Sequence, residues 1–319
     1  MSESSCLAVM YHYVRDRAGG PDAGIRGLDL ATFERQLDRL CAELEPVDWP
    51  QLYAWFSGWG DLPRRAFTLT FDDGLADHAE VVCPRLKARG LRGTFFVPAR
   101  VLADGRMLPA HQIHLLQCRL GDDGFAAAVT AWLGAAHAGA RDWLEHVDAQ
   151  AAVQTYHYET AARATFKYLL TQTLPIELRN RMLDELFARH VGDSSAVASR
   201  WYVSWDQLAA MQSAGHTIGG HGLGHEPYLR LTPDEQMDDA AQSAQLLNDG
   251  LGVSPRPFSY PYGSFSEAST AACRAAGFVH AFTTHPVWIE RGSDAYALGR
   301  VDTISVEAFL EQELAIAPS

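Results

Sequence analysis

Two adjacent carboxylates, Asp72 and Asp73, follow an apolar, β-rich run at 66–71 and precede Gly74. Such a run predicts a buried strand, and parallel α/β sheets and barrels place their chemistry at the carboxyl ends of their strands. Successive side chains of a strand point in opposite directions, but the turn that glycine permits can bring both carboxylates into one pocket. Because two such anions repel, a bound cation would keep both ionised, one as a ligand and the other as a base. A simple Asp-Asp-Gly turn is the alternative.

Two histidines, His221 and His225, lie among four glycines in the segment 219–225. So many glycines predict a loop that turns both rings inward rather than a helix. Imidazole and carboxylate donors suit zinc, and two histidines with one aspartate leave a coordination position open for water. The sequence therefore predicts a site for Zn²⁺ or another divalent metal, formed by Asp73, His221 and His225.

A third segment, Arg-Pro-Phe-Ser-Tyr-Pro-Tyr-Gly at 256–263, predicts a strand that enters a proline-containing turn. Backbone N–H groups at such a turn can point at a developing oxyanion, and the amide of Tyr262 is the candidate donor. A tight turn without chemistry fits the same residues. His12 follows another apolar run and is predicted to lie at the end of the first strand.

Composition limits the partners that this chain can have. Its 319 residues, 47% hydrophobic and 20% charged, are typical of a globular protein with a large core. The net charge of −13, without a basic run, argues against a nucleic-acid partner. The five cysteines are widely spaced and predict neither a disulfide framework nor a cysteine zinc site. No apolar run reaches the length of a membrane span and the first residues do not form a signal peptide, so we expect a cytoplasmic protein.

Alternating strands and helices surround these segments. The predicted strands are 7–13, 66–71, 91–97, 217–220, 258–262, 278–283 and 298–303, and the predicted helices are 30–44, 75–89, 204–214, 233–248, 266–276 and 306–314. The segment 102–200 instead consists of alanine-rich helical stretches. We predict an α/β fold, a distorted (β/α)7-type barrel formed by 1–101 and 201–319, with a helical insertion at 102–200.

The chain resembles the polysaccharide deacetylases of the NodB-homology class, carbohydrate esterase family 4. The resemblance rests on Thr-Phe-Asp-Asp-Gly at 70–74, on the His-x-x-x-His pair at 221–225 and on Tyr-Pro-Tyr-Gly at 260–263. It covers about residues 5–100 and 201–310. It implies that Asp72 is the general base, that Asp73 and the histidine pair bind a divalent metal, and that the Tyr262 N–H binds the oxyanion.

Several residues depart from the family pattern. Gly222 stands where many members have Ser or Thr, Ser259 stands where many have an arginine that orients the base, and the Leu-His-Asp-like motif that supplies the acid is absent. A branch similar to poly-N-acetylglucosamine deacetylases takes its acid from an N-terminal Tyr-His motif, which Tyr11-His12 resembles. The resemblance thus implies His12 as the acid, with His285 as second choice. Arg300 is predicted to replace the missing arginine by pairing with Asp72.

The implied reaction is hydrolysis of the acetamido group of an N-acetylated sugar. For a cytoplasmic protein we expect an intermediate of surface-polysaccharide biosynthesis, possible forms being nucleotide- or lipid-linked; polymeric substrates remain an alternative. A non-catalytic carbohydrate-binding protein on the same fold and an amidohydrolase acting on a non-sugar amide are rival interpretations. The sequence does not indicate an oligomeric state.

Overall fold

The computed structural model describes residues 4–15, 25, 27–136, 139–156 and 159–316. Their contacts divide them into two compact units. The described residues of 1–17, 26–105 and 199–319 form the first unit, and those of 18–25 and 106–198 form the second. The domain boundaries given above, with a barrel of 1–101 and 201–319 and an insertion of 102–200, stay a prediction.

A curled, mainly parallel sheet forms the first unit. The sheet order is β7-β6-β5-β4-β3-β1, and each neighbouring pair is parallel. The short strand β2 lies parallel to β3, and β8 is antiparallel to the start of β1. The strands are β1 (Ser5–Tyr11), β2 (Glu45–Pro46), β3 (Arg65–Phe71), β4 (Gly93–Val97), β5 (Thr217–Gly220), β6 (Arg256–Ser259), β7 (Phe278–Phe282), β8 (Ile289–Glu290) and β9 (Val301–Asp302).

Residues 298–302 close this sheet into a distorted barrel. Leu298 forms a parallel bridge with Phe282 at the end of β7, while β9 pairs in parallel with β1. Between these two contacts, the backbone N–H of Arg300 donates to the carbonyl of His285 at 2.9 Å. The closing segment thus occupies the seventh parallel position, and the predicted α/β fold of (β/α)7 type is confirmed.

Several helices begin where their sequences provide caps. Asp29 accepts the N–H of Thr32 at the start of α1, and Thr232 forms a capping box with Glu235 at the start of α12. The helices are α1 (Leu30–Glu43), α2 (Trp49–Phe56), α3 (Cys83–Ala88), α4 (Arg100–Ala103), α5 (Pro109–Ala136), α6 (Ala140–Glu145), α7 (Ala149–Thr155), α8 (Ala161–Tyr168), α9 (Ile176–His190), α10 (Ser194–Trp201), α11 (Trp205–Ser213), α12 (Pro233–Leu251), α13 (Glu267–Ala275) and α14 (Val306–Ile316).

The helix predicted after Gly74 is not uniform. A π-helical turn, His78–Val82, precedes α3, and its last bond runs from the N–H of Cys83 to the carbonyl of His78. Pro84 has no N–H to donate, so it cannot continue the α-helical ladder at this point, and the wider turn accommodates it. This turn places His78 next to the barrel.

The second unit contains α5 to α9 and most of α10, with a π-helical turn at Leu169–Thr173. Within α5, Gly121 leaves the helical conformation at φ 70° and kinks the helix. The described part of this unit contains no strand, as the sequence predicts. Among the described residues, none of the helices combines the length and the apolarity required to span a bilayer.

Two predicted strands differ most from their counterparts in the structure. The strand predicted at 258–262 is β6, Arg256–Ser259, followed by a 3-10 turn at Pro261–Gly263, because Pro261 cannot donate to a neighbouring strand. The strand predicted at 298–303 pairs with its neighbours only at its two ends, because the N–H of Arg300 is bonded to His285 instead. The sequence did not predict β8.

An aromatic layer covers the outer face of the central strands. Tyr11, Phe71 and Phe95 occupy one register row across β1, β3 and β4, and their rings stack at centroid distances of 5.2 and 4.8 Å. His216 meets Phe95 edge-on at 5.3 Å, and its Nδ1 accepts the N–H of Gly93 at 3.1 Å. Only an unprotonated Nδ1 can accept, so this fold requires a neutral ring.

His216 should make the protein less stable in acid. Burial, followed by the charge of Arg92, lowers the pKa of His216 to about 4, whereas the unfolded chain binds the proton near pH 6.5. The unfolded state therefore holds more protons below pH 6.5, so the free energy of unfolding falls as the pH drops from 6.5 toward 4. We expect His216 to contribute about 2 kcal/mol of this loss at pH 5. Urea unfolding at pH 7.5 and pH 5 measures it.

His216→Asn keeps a hydrogen-bond acceptor near the position of Nδ1 and replaces the imidazole with an amide that does not bind a proton in this pH range. The variant should lose less stability between the two pH values than the wild type does. The exposed residue His285 offers the matched control, since His285→Asn should leave the pH dependence unchanged. Equal losses for His216→Asn and the wild type would show that this ring is not the cause.

Candidate metal centre and active site

The two carboxylates of the first motif reach the same space by a backbone turn at Asp73 itself. Phe71 points to the outer aromatic layer, so Asp72 points into the barrel, and its N–H remains bonded to the Tyr11 carbonyl at 2.9 Å. Asp73 then adopts φ 80°, and Gly74 follows at φ 61°. The sequence assigned this turn to glycine alone. Aspartate tolerates the left-handed region better than most residues do.

Asp73, His221 and His225 converge as a candidate metal-binding group. One potential ligand atom from each lies within 4.8 Å of the others, and all three residues are buried. Asp73 Oδ1 is 3.1 Å from His225 Nε2 and 3.5 Å from His221 Nε2. Ligand atoms about 2.0–2.1 Å from a tetrahedral zinc ion lie roughly 3.3 Å from each other. The separations of these donors therefore fit a zinc-sized ion.

The hydrogen bond of His221 supports the same conclusion. Its Nδ1 lies 2.7 Å from the carbonyl of Ser259, which can only accept, so Nδ1 carries the proton. In the neutral ring, Nε2 then presents a lone pair toward Asp73, the arrangement that a ligating histidine adopts. Burial lowers the pKa of His221, but Asp72 and Asp73 outweigh it and raise the pKa. The cluster thus favours positive charge, from a proton or a metal ion.

Asp72 is held by Arg300, which reaches it from the segment that closes the barrel. Nη1 and Nη2 of Arg300 each lie 2.7 Å from one oxygen of the Asp72 carboxylate. Nη2 also donates to Ser259 Oγ at 2.8 Å, and Nε donates to the Thr283 carbonyl at 2.9 Å. Arg300 is 1% exposed and Asp72 is 2% exposed, so water screens this pair little.

This pair controls the charge of Asp72. Burial favours the neutral acid, but Arg300 and His221 outweigh it and hold the pKa of Asp72 at about 2. His12 acts in the same direction, so its side chain is within electrostatic reach of the carboxylate. Asp72 is therefore ionised at neutral pH and able to accept a proton or a hydrogen bond.

His12 follows β1 and is half-buried. Its backbone carbonyl accepts a hydrogen bond from Nε2 of His78 at 3.0 Å. Burial lowers the pKa of His78 to about 4, so the ring is neutral and Nε2 carries its single proton. His78 thereby fixes the end of β1, where the Tyr-His motif lies.

Tyr262 lies beside the metal-binding group, whereas His285 lies at the protein surface. The ring of Tyr262 is 4.9 Å from that of His225, between centroids. His285, the second candidate for the acid, is exposed and contributes its carbonyl to the N–H of Arg300. The structure thus brings together the candidates His12, Asp72, Asp73, His221, His225, Tyr262 and Arg300.

Backbone strain among the described residues is concentrated at this site. Asp73 at φ 80°, His225 at φ 61° and Tyr262 at φ 60° are the only described non-glycine residues in the left-handed region. Each such conformation costs on the order of 1–3 kcal/mol and persists only where its surroundings enforce it. The strain therefore marks these three positions as constrained by something other than local preference.

Sequence reasoning missed two contributors, His78 and Thr70. The Thr70 hydroxyl accepts from Arg300 Nη1 at 3.3 Å and donates to the carbonyl of Val9. Alternation along β3 could have revealed it, since Thr70 and Asp72 share the inner face. No sequence signal distinguished His78, because its role depends on the π-helical turn.

Removing Arg300 should destabilise the protein strongly. Arg300→Met would leave the Asp72 carboxylate buried without its countercharge, which costs about 3–5 kcal/mol in the free energy of unfolding. Chemical denaturation measures the change. The double variant Asp72→Asn/Arg300→Met should recover part of the loss, because it contains no uncompensated charge.

Arg106→Met provides the matched control, since Arg106 forms an exposed ion pair with Asp184 at 2.8 Å. That substitution should change stability by less than about 1 kcal/mol. A loss for Arg300→Met no larger than the loss for Arg106→Met would contradict the importance of the buried pair.

Known proteins match this chain in sequence over part of its length. Residues 171–281 match the family model described as polysaccharide deacetylase, a range that includes both metal-site histidines. YxkH of Bacillus subtilis, named as a polysaccharide deacetylase, is 27% identical over 106 residues, 33% of this chain and 38% of that protein. The peptidoglycan deacetylase of Helicobacter pylori is 29% identical over 73 residues, 23% of this chain and 25% of that protein. The matches thus span well under half of either relative.

Solved structures match over nearly the whole chain. The Streptococcus pyogenes deacetylase PplD, in complex with acetate, superposes with a TM-score of 0.61 at 14% identity, covering 97% of this chain and 98% of that one. IcaB from Ammonifex degensii gives a TM-score of 0.58 at 19% identity, covering 96% and 97%. At these identities the likeness shows a shared fold. Together with the sequence matches, it confirms the predicted resemblance to the polysaccharide deacetylases of carbohydrate esterase family 4.

Proposed function

We propose that this protein is a metal-dependent N-deacetylase that hydrolyses the acetamido group of an N-acetylated sugar. The observation that carries the proposal is the pairing of two different sites at one barrel end. Asp73 and two imidazoles form a group that fits a divalent ion, and Asp72 next to them is ionised and held by Arg300. A cation site beside a fixed base is the arrangement that hydrolysis of an amide requires.

Asp72 acts as the base in this proposal. A divalent ion held by Asp73, His221 and His225 would supply positive charge that polarises the acetyl carbonyl and acidifies the attacking water. That assistance matters because a carboxylate with a pKa of about 2 is a weak base. Arg300 keeps both oxygens of Asp72 in one orientation, so no reorganisation is required when the proton moves.

Two further groups complete the proposed reaction. The backbone N–H of Tyr262 donates to the oxyanion that forms when water attacks the acetyl carbon. The imidazolium of His12 then gives its proton to the nitrogen of the leaving amine as the C–N bond breaks, since an unprotonated amine is a poor leaving group. The products are acetate and the free amino sugar.

The substrate is proposed only as a class. The match to a peptidoglycan deacetylase and the family itself support an N-acetylated sugar. The net charge of −13 favours a neutral or cationic sugar over a polyanion. An intermediate of surface-polysaccharide biosynthesis, free, nucleotide-linked or lipid-linked, and a cytoplasmic location remain parts of this proposal.

Acetate release from a panel of N-acetylated compounds tests the function. The panel contains N-acetylglucosamine oligomers, a nucleotide-linked N-acetylhexosamine, a lipid-linked N-acetylhexosamine and a non-sugar acetamide. We expect release from at least one sugar and none after chelation of divalent ions. Release from the non-sugar amide alone would favour an amidohydrolase, and release from none, with sugar binding retained, would favour a binding protein.

Substitution of the acid and the base should lower kcat far more than it changes KM, because both act on protons in the transition state. We expect Asp72→Asn and His12→Ala to lose about 10²-fold or more in kcat. His285→Ala, the matched control for the acid, should retain its activity. Full activity in His12→Ala together with a large loss in His285→Ala would transfer the acid role to His285.

A further inference from the structure

The loop between the two metal-site histidines is bound by a carboxylate from outside the three motifs. Asp239, on α12, accepts the N–H of Leu223 through Oδ1 at 2.9 Å. The same oxygen accepts the hydroxyl of Tyr228 at 2.8 Å, and the carboxylate also accepts the N–H of Gly224. The consecutive backbone N–H groups of Leu223 and Gly224, which lie between the two histidines, thus both donate to the Asp239 carboxylate.

The loop 222–224 packs against Asp239 on one side and against residues 99 and 100 on the other. A Cβ atom at Gly222, which has φ 69°, would lie 3.1 Å from Asp239 Oδ1, and one at Gly224 would lie 2.8 Å from Nη1 of Arg100. The carbonyls of Gly222 and Leu223 accept the N–H groups of Ala99 and Arg100, at 3.1 and 2.9 Å. The carboxylate therefore lies against residue 222, where many family members have a hydroxyl side chain.

The conformation that this loop must hold is an unfavourable one. His225 follows the loop at φ 61°, in the left-handed region that residues other than glycine adopt uncommonly. His221, at the other end, is already fixed by β5 and by the Ser259 carbonyl. The loop sets the backbone position of His225, which follows Gly224 directly, and so contributes to the direction of its ring toward Asp73.

We propose that Asp239 is a positioning residue for the metal site, whose carboxylate holds the 222–224 loop so that Nε2 of His225 is directed at Asp73. Tyr228, which is fully buried, in turn fixes the carboxylate. The inference rests on the proposed metal-dependent function. It goes beyond the ligand set, because Asp239 is not part of the group that could hold the ion.

Titration with Co²⁺ tests the inference without relying on activity. The visible absorption of bound Co²⁺ reports both affinity and coordination geometry. Asp239→Ala should bind Co²⁺ about 10–100-fold more weakly than the wild type, the usual effect of losing an outer partner of a metal ligand. Asp239→Asn should lose less, because its Oδ1 can still accept from Leu223 and Tyr228. The exposed neighbour on the same helix offers the control, and Asp238→Ala should bind as the wild type does.

The unfolding of each metal-free variant is measured in parallel, to separate positioning from general stability. The proposal expects Asp239→Asn to unfold near the wild-type midpoint and still to bind Co²⁺ more weakly, with an altered spectrum. If Asp239→Ala does not fold, Tyr228→Phe replaces it and should weaken binding several-fold. Wild-type affinity and spectrum in these Asp239 and Tyr228 variants would overturn the inference. A wild type that binds no Co²⁺ would instead contradict the metal site of the proposed function, and this inference with it.

Discussion

Two adjacent carboxylates are buried at one end of the barrel, and the surrounding structure compensates their charge. A buried, unpaired carboxylate costs far more than a domain can tolerate. Arg300 compensates Asp72 through two hydrogen bonds of 2.7 Å, and the imidazoles of His221 and His225 face Asp73. The two carboxylates thus receive different principal partners, as the proposed division into a metal ligand and a base requires.

The need to compensate Asp72 explains the irregular closure of the barrel. An ordinary strand at 298–302 would pair along its whole length, but this segment pairs only at its ends and turns the N–H of Arg300 toward His285. The guanidinium therefore enters the barrel beside β3 and hydrogen-bonds Ser259 as well. The segment 298–302 thus both closes the barrel and orients the carboxylate of Asp72.

Much of this arrangement was predictable from the sequence. Hydrophobic runs and helix caps indicated the central strands and the long helices. The motifs follow predicted strands, which indicated that the carboxyl ends of these strands lie together. The pairing of Arg300 with Asp72 was predicted from a resemblance, as the replacement of a missing arginine. Local patterns did not predict the left-handed turn at Asp73, the π-helical turn before α3 or the short β8. Each of these depends on contacts between distant residues, such as that of His78 with the His12 carbonyl, and propensity carries no information about them.

The central claim is that one divalent ion binds between Asp73, His221 and His225 while Asp72 stays outside its ligand set. Crystals grown with Zn²⁺ and measured on both sides of the zinc absorption edge test this claim directly. We expect one strong anomalous peak about 2.0–2.2 Å from one oxygen of Asp73 and from Nε2 of both histidines. A peak coordinated by Asp72 in place of Asp73, or no peak at this end of the barrel at a saturating zinc concentration, would contradict it.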